Sequence, residues 1–231
     1  VESIAIDRGV AKAAVLGGGE RIEAKRAVIA NLHPRVLFGR LVPADSAEPA
    51  RIRTDAVVIL ALALAAAVAI KVPALFGMRL QQDAGFYARN LSLFVLPFLS
   101  GYFIWKRQLG ARTTAWLAVA FVAAAVVANV HAFTMNGATA RLVAMHLPIA
   151  LWLVVGVAYA GGRWRQGQGR MDFIRFSGEL FIYYVLIALG GAVLTAFMMM
   201  LFKAIGIDAE AFVNAWWLPC GAAGAVLVAA W

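Results

Sequence analysis

Long apolar segments separated by short charged stretches make up most of the chain after residue 53. The clearest is Phe173–Gly206, which carries no charged residue from Leu180 to Phe202. At about 1.5 Å per residue that run reaches roughly 34 Å, enough to cross a bilayer core of about 30 Å. A water-soluble helix of this length would need a polar stripe, and the run has none. The same pattern recurs at Thr54–Val72, Leu91–Trp105, Thr114–Phe133, Leu142–Ala160 and Phe212–Trp231. The second of these is the shortest, and Pro97 is placed to kink it. The pattern predicts an all-α polytopic membrane protein of about six transmembrane helices, with residues 54–231 as the membrane domain.

The first residues follow a different rhythm. Val1–Ile6 and Ala11–Leu16 read as strands around the turn Asp7-Arg8-Gly9, and Arg21–Ala30 reads as a third strand after Gly17-Gly18-Gly19. His33-Pro34 ends it, and Arg35–Leu41 suits one or two turns of helix. Residues 1–43 are thus expected to be a short polar segment containing a β-hairpin, with 44–53 (ADSAEPA and its basic flank) as a linker. Three glycines invite a dinucleotide-binding reading, but Ile22 stands where the third fingerprint glycine belongs, and a strand follows where a helix is needed.

Composition agrees with lipid as the solvent. Hydrophobic residues make up 63% of the chain and charged residues 14%, with a mean hydropathy of +0.81, against about 25% charged in ordinary globular domains. A formal charge of +9 would suggest nucleic acid in a soluble protein. Here the basic residues cluster in alternate loops and act as topology determinants, so no nucleic-acid partner is expected. The single cysteine, Cys220, lies within an apolar run, which leaves no disulfide framework and no thiolate metal site within the chain. Residues 1–12 contain no apolar signal-peptide core. The last apolar run is unfinished at Trp231, and the expectation is a piece of a longer chain.

Orientation follows from the loops. Arg51, Arg53, Lys106, Arg107, Arg112, Arg163, Arg165, Arg170 and Arg175 fall on one side; Arg79, Arg89, Arg141 and Lys203 fall on the other. The positive-inside rule then places the N-terminus and residue 231 in the cytoplasm. Trp105, Trp116 and Trp164 come to the inner interface and Trp216 and Trp217 to the outer one, as aromatic belts require.

Two stretches resemble known families. GVAKAAVLGGGERIEAKRAVIANLHP followed by RVLFGRLVP, within residues 1–43, is similar to part of the FAD-dependent oxidoreductases of the phytoene desaturase type. The dinucleotide fingerprint and the flavin-contacting C-terminal segment of that family lie outside this stretch, so no flavin-binding residue carries over. From residue 51 onward the chain resembles a bacterial inner-membrane family known only as a domain of unknown function. The stretches FYARNLSLFVLPFLSGYFIWKR, HLPIALWLVVGVAYAG, SGELFIYYVLIALGGAVLT and IGIDAEAFVNAWWLPCGAAGAVLVAAW carry that resemblance. It implies no catalytic residues, and a chain longer than this one.

Few polar groups interrupt the spans. Glu179 lies a turn inside the cytoplasmic end of span five, with Arg175 and Tyr183 four residues to either side on the same face. The simpler reading is an interfacial ion pair; the sharper one is a functional carboxylate. Ala188, Ala192 and Ala196 form a small-residue ridge suited to close helix packing, and Met198-Met199-Met200 reads as lipid-facing filler. Lys71, beside Pro73, is expected to snorkel to the headgroups. His131 and His146 fall at the outer ends of adjacent antiparallel spans, with Asn129 nearby. They are either two hydrogen-bonded interfacial histidines or a joint polar site with rings within about 12 Å; a metal would need a third ligand. No catalytic or metal-binding residue and no cofactor is expected, and the balance leans away from an enzyme. The function expected is that of a membrane scaffold, sensor or transporter component, with the bilayer, other membrane proteins or its own continuation as partners. The alternative is a membrane-tethered fragment of an FAD-dependent oxidoreductase, the one reading that brings in FAD.

Overall fold

Residues 3–7, 10–24, 49–80, 82–130, 137–165 and 167–231 are described by the structure, a computed structural model. The chain divides into two units, Val1–Ala56 and Val57–Trp231. In the first, strands β1 (Ser3–Asp7), β2 (Val10–Val15) and β3 (Arg21–Glu23) form an antiparallel sheet in the order β1-β2-β3. Ser3 pairs with Val15 and Ile4 with Ala14, and the register slips between Ala5 and Ile6. The glycine run makes the β2–β3 turn: the Gly19 N–H donates to the Leu16 carbonyl and the Leu16 N–H to the Glu20 carbonyl, both at 2.9 Å. A strand follows the glycines, so the turn has no helix N-terminus with which to hold a phosphate. β3 covers the start of the Arg21–Ala30 strand expected. The remainder of that stretch, the expected helix 35–41 and most of the linker lie outside the described residues.

Six helices follow: α1 (Pro49–Leu75), α2 (Ala84–Arg107), α3 (Ala111–Val130), α4 (Ala138–Ala160), α5 (Gly167–Ala204) and α6 (Glu210–Ala229). Five of them, all but α2, are long and apolar enough to cross a membrane. With 24 residues, or about 36 Å, α2 is also long enough. Its lower apolarity has a packing cause: Asn90, Ser92 and Ser100 are buried inside the bundle. Helix α1 begins within the expected linker, because a proline is tolerated in the first turn, where its missing N–H would have no partner. At 38 residues α5 spans about 57 Å, so it outruns a bilayer core. Its first turns carry the polar residues Arg170, Asp172, Arg175 and Glu179.

Lipid tails are as apolar as leucine, so these helices gain little by hiding apolar surface from one another; small residues, ring contacts and interhelical hydrogen bonds decide the packing. The broadest interface joins α2 to α4, and α3 lies against both. One end of α5 rests on α4, and α5 also packs on α6, which touches α2. Against α1, α6 packs through Gly224, where an added Cβ would meet the Ala63 Cβ at 3.8 Å, and through the Cys220 thiol, 3.6 Å from the Ala67 carbonyl. Between α2, α4 and α5 lies a cluster of rings. Tyr159 stacks on Phe176 with centroids 4.6 Å apart, and Phe103 meets Phe176 edge-on at 5.3 Å. Gly156 lies beneath this cluster, where a Cβ would come within 2.8 Å of both Phe173 and Trp164.

One packing expectation is corrected. Ala188, Ala192 and Ala196 are exposed, so the ridge they form is not a helix interface within this chain. The contact of α5 with α6 runs instead through buried Thr195, whose hydroxyl accepts from the Trp217 indole at 2.9 Å and donates to the Gly191 carbonyl at 2.7 Å.

Candidate functional site

The helices line an open cavity of about 570 Å³. Ile70 of α1, Leu91 and Val95 of α2, Ala144 and Ile149 of α4, Tyr184 of α5 and Ala223 of α6 all reach its wall. Its size falls in the range of pockets that hold small organic ligands, and its lining is overwhelmingly apolar, as such pockets are. The cavity exists because α5 diverges. At the level of Trp152 the two helices are joined, the indole N–H donating to the Ser177 hydroxyl at 3.1 Å while that hydroxyl donates to the Phe173 carbonyl at 2.8 Å. Beyond that level α5 packs on α6, through Thr195 and Trp217. Prolines shape two of the walls. Pro148 has no N–H to offer the Ala144 carbonyl, and Pro219 follows a π-helical turn at Val213–Trp217.

Among its polar groups, Tyr87 is already engaged, its hydroxyl donating to the Met78 carbonyl at 2.9 Å and tying the α1–α2 loop down over one end. Ser92 is 7% exposed, and its hydroxyl has no hydrogen-bond partner among the described residues. A buried hydroxyl without a partner costs about 1–3 kcal/mol of desolvation; this oxygen has almost no surface open to the cavity, so the cost falls on the packing around α2.

A second pocket of about 360 Å³ adjoins the first and shares Leu80 and Tyr87 with it. Here the lining changes character, with Lys71, Arg79, Gln82 and Trp216. The Lys71 ammonium lies 4.6 Å from the centroid of the Trp216 ring. The loop that carries Arg79 is well tied. Gly77, at φ 86°, ends α1 in a Schellman turn, with the Met78 N–H on the Pro73 carbonyl at 3.1 Å and the Gly77 N–H on Ala74 at 3.2 Å. The Arg79 backbone N–H donates to the Asp83 carboxylate at 2.8 Å.

The residues singled out from sequence fall in separate places. Arg175 and Glu179 form an ion pair at 2.9 Å, with side chains 82% and 53% exposed on the surface of α5. Tyr183 is also exposed, and its neighbour Tyr184 is the one that reaches the cavity. Asn129 pairs with Asn90, each amide donating to the other's oxygen, at 2.7 and 3.0 Å, across the α2–α3 interface. Each amide also donates to the carbonyl a turn before it on its own helix, Phe86 and Ala125. His146 is exposed, its Nδ1 2.9 Å from the Leu142 carbonyl, beside a shallow groove shared with Val127 of α3. His131 lies outside the described residues, so the expected closeness of the two rings has no measured distance. Among the described residues no three of His, Cys, Asp and Glu come together as a metal cluster.

Sequence reasoning passed over Ser92, Tyr184 and Arg79, and treated Lys71 as a snorkelling end. A signal was present in α2, where polar residues inside an apolar span mark its protein-facing side. No family model, curated protein or solved structure matches the chain. The long apolar helices are those of an integral membrane protein in a lipid bilayer.

Proposed function

We propose that the chain is a multi-pass protein of the bacterial inner membrane, a member of the domain family that it resembles, which binds a lipid-like molecule between its helices. The observation that carries this reading is the apolar cavity of about 570 Å³ lined by α1, α2, α4, α5 and α6. A site of this kind suits a sensor or scaffold that responds to a membrane lipid, or a transporter component that holds one. The basic loops support a cytoplasmic N-terminus, and the loop with Arg79 and Gln82 then faces the periplasm.

Detergent-purified protein should carry a lipid that denaturing extraction and mass spectrometry detect at near-stoichiometric amount. Ala144→Trp, which fills the cavity from α4, should remove it, while Val193→Phe on the exposed face of α5 should not. Equal lipid content in all three proteins would refute the reading. Orientation has its own test: a cysteine placed at Gln82 should react with a membrane-impermeant reagent from the periplasmic side. The same preparation should show no flavin absorbance, and stoichiometric flavin would favour the oxidoreductase alternative.

A further inference from the structure

Resting on the cavity as a lipid site, we infer that its occupant is an anionic amphiphile whose phosphate-bearing head sits between Lys71 and Arg79 while its chain fills the apolar chamber. The two pockets share Leu80 and Tyr87 as a common wall, so one elongated molecule would occupy both once these side chains turn aside. A chain moving from the bilayer into the chamber exchanges one apolar environment for another and gains little. Affinity must therefore come from the head, and the polar end of the site is cationic.

Lys71 is half-buried near the end of α1, stacked on Trp216, and has no carboxylate partner among the described residues. A lysine so placed is costly unless an anion or the headgroup layer receives it. Arg79 is exposed and also makes no ion pair among the described residues. Asp83, the carboxylate of its loop, accepts the Arg79 backbone N–H, not the guanidinium. That guanidinium keeps its fork for a bidentate phosphate contact. Deeper in, Ser92 lies eight residues into α2, about 12 Å from its start. Turned about χ1 toward the cavity, its unpartnered hydroxyl would donate to an oxygen of the lipid below the head, such as the carboxylic ester of a glycerophospholipid. Cations at the mouth, a donor below them and a dry chamber beyond form the polarity gradient of a phospholipid turned inward.

The experiment is native mass spectrometry of the whole chain in detergent, titrated separately with phosphatidylglycerol, phosphatidylcholine and a polyprenyl monophosphate. Binding of at least one phosphate-bearing anion should exceed that of phosphatidylcholine. Lys71→Gln and Arg79→Gln should each weaken it about fivefold, and together about 25-fold. If phosphatidylglycerol is the ligand, Ser92→Ala should weaken it further; if the polyprenyl phosphate is, Ser92→Ala should leave it unchanged, since that lipid has no carboxylic ester below its head. Each variant is compared by its elution profile and melting temperature with the parent. The inference is overturned if phosphatidylcholine binds as well as both anions, or if the double variant binds as the parent does. Should Ala144→Trp still abolish that binding, the cavity reading stands and the anionic head alone falls; should it change nothing, both fall.

Discussion

The Asn90–Asn129 pair offers the sharpest test of how the bundle is held together. Asn90 is 4% exposed, and the two amides exchange hydrogen bonds between α2 and α3 at 2.7 and 3.0 Å. Asn90→Leu keeps the approximate shape, removes both interhelical bonds and leaves the Asn129 amide with the Ala125 carbonyl alone. Hydrogen bonds between transmembrane helices average about 0.6 kcal/mol and reach about 1.7. Two of them, with one partner left stranded, should therefore cost about 1–2 kcal/mol. Replacing both residues by Leu removes the stranded group as well, so the double variant should be less destabilised than the two single losses added together. The assay is reversible unfolding in mixed micelles with rising dodecyl sulfate, run as a double-mutant cycle. A coupling energy of about 0.5–1.5 kcal/mol is expected; a value under about 0.3 kcal/mol, the ordinary scatter of independent sites, would refute the reasoning.

Other substitutions probe the packing beside it. Gly156→Ala should destabilise by about 1–3 kcal/mol, because its Cβ would meet Phe173 and Trp164 at 2.8 Å inside a filled ring cluster. Gly178→Ala, with nothing within 4 Å of the new methyl, should be neutral or stabilise α5 by up to about 1 kcal/mol, and the same unfolding assay reads both. Trp217→Phe keeps a ring on α6 but loses the bond to Thr195, and should cost about 1 kcal/mol. Arg175→Gln and Glu179→Gln should each change stability by less than about 0.5 kcal/mol, as expected of an exposed pair four residues apart on a helix; a loss above 1 kcal/mol would mean that the pair holds something the exposed surface of α5 does not show.

The apolar runs alone determined that this chain forms membrane-length helices, where they lie and roughly how long they are. A bilayer imposes this segment by segment: each span must cover the hydrocarbon core and satisfy its own backbone hydrogen bonds, whatever its neighbours do. The turn chemistry was legible for the same local reason, as at the glycine run between β2 and β3. Helix ends were read less closely. The first span began at Pro49 and not Thr54, and α5 at Gly167 and not Phe173, because helices continue into the aqueous layers where hydropathy no longer reports them.

Which faces meet was left to the tertiary structure. The longest apolar run, α5, proves the most exposed, while α2, the least apolar, lies at the centre with Asn90, Ser92 and Ser100 buried. In water an apolar face seeks the interior, but in lipid the bilayer accepts it equally well, so hydropathy cannot tell a packed face from a lipid-facing one. The partner of Asn129 lay 39 residues away at Asn90, and Lys71 met Trp216 across more than half the chain. The cavity had still less of a signature: it is set by the height at which α5 leaves α4, a property of five helices together and of no residue in particular.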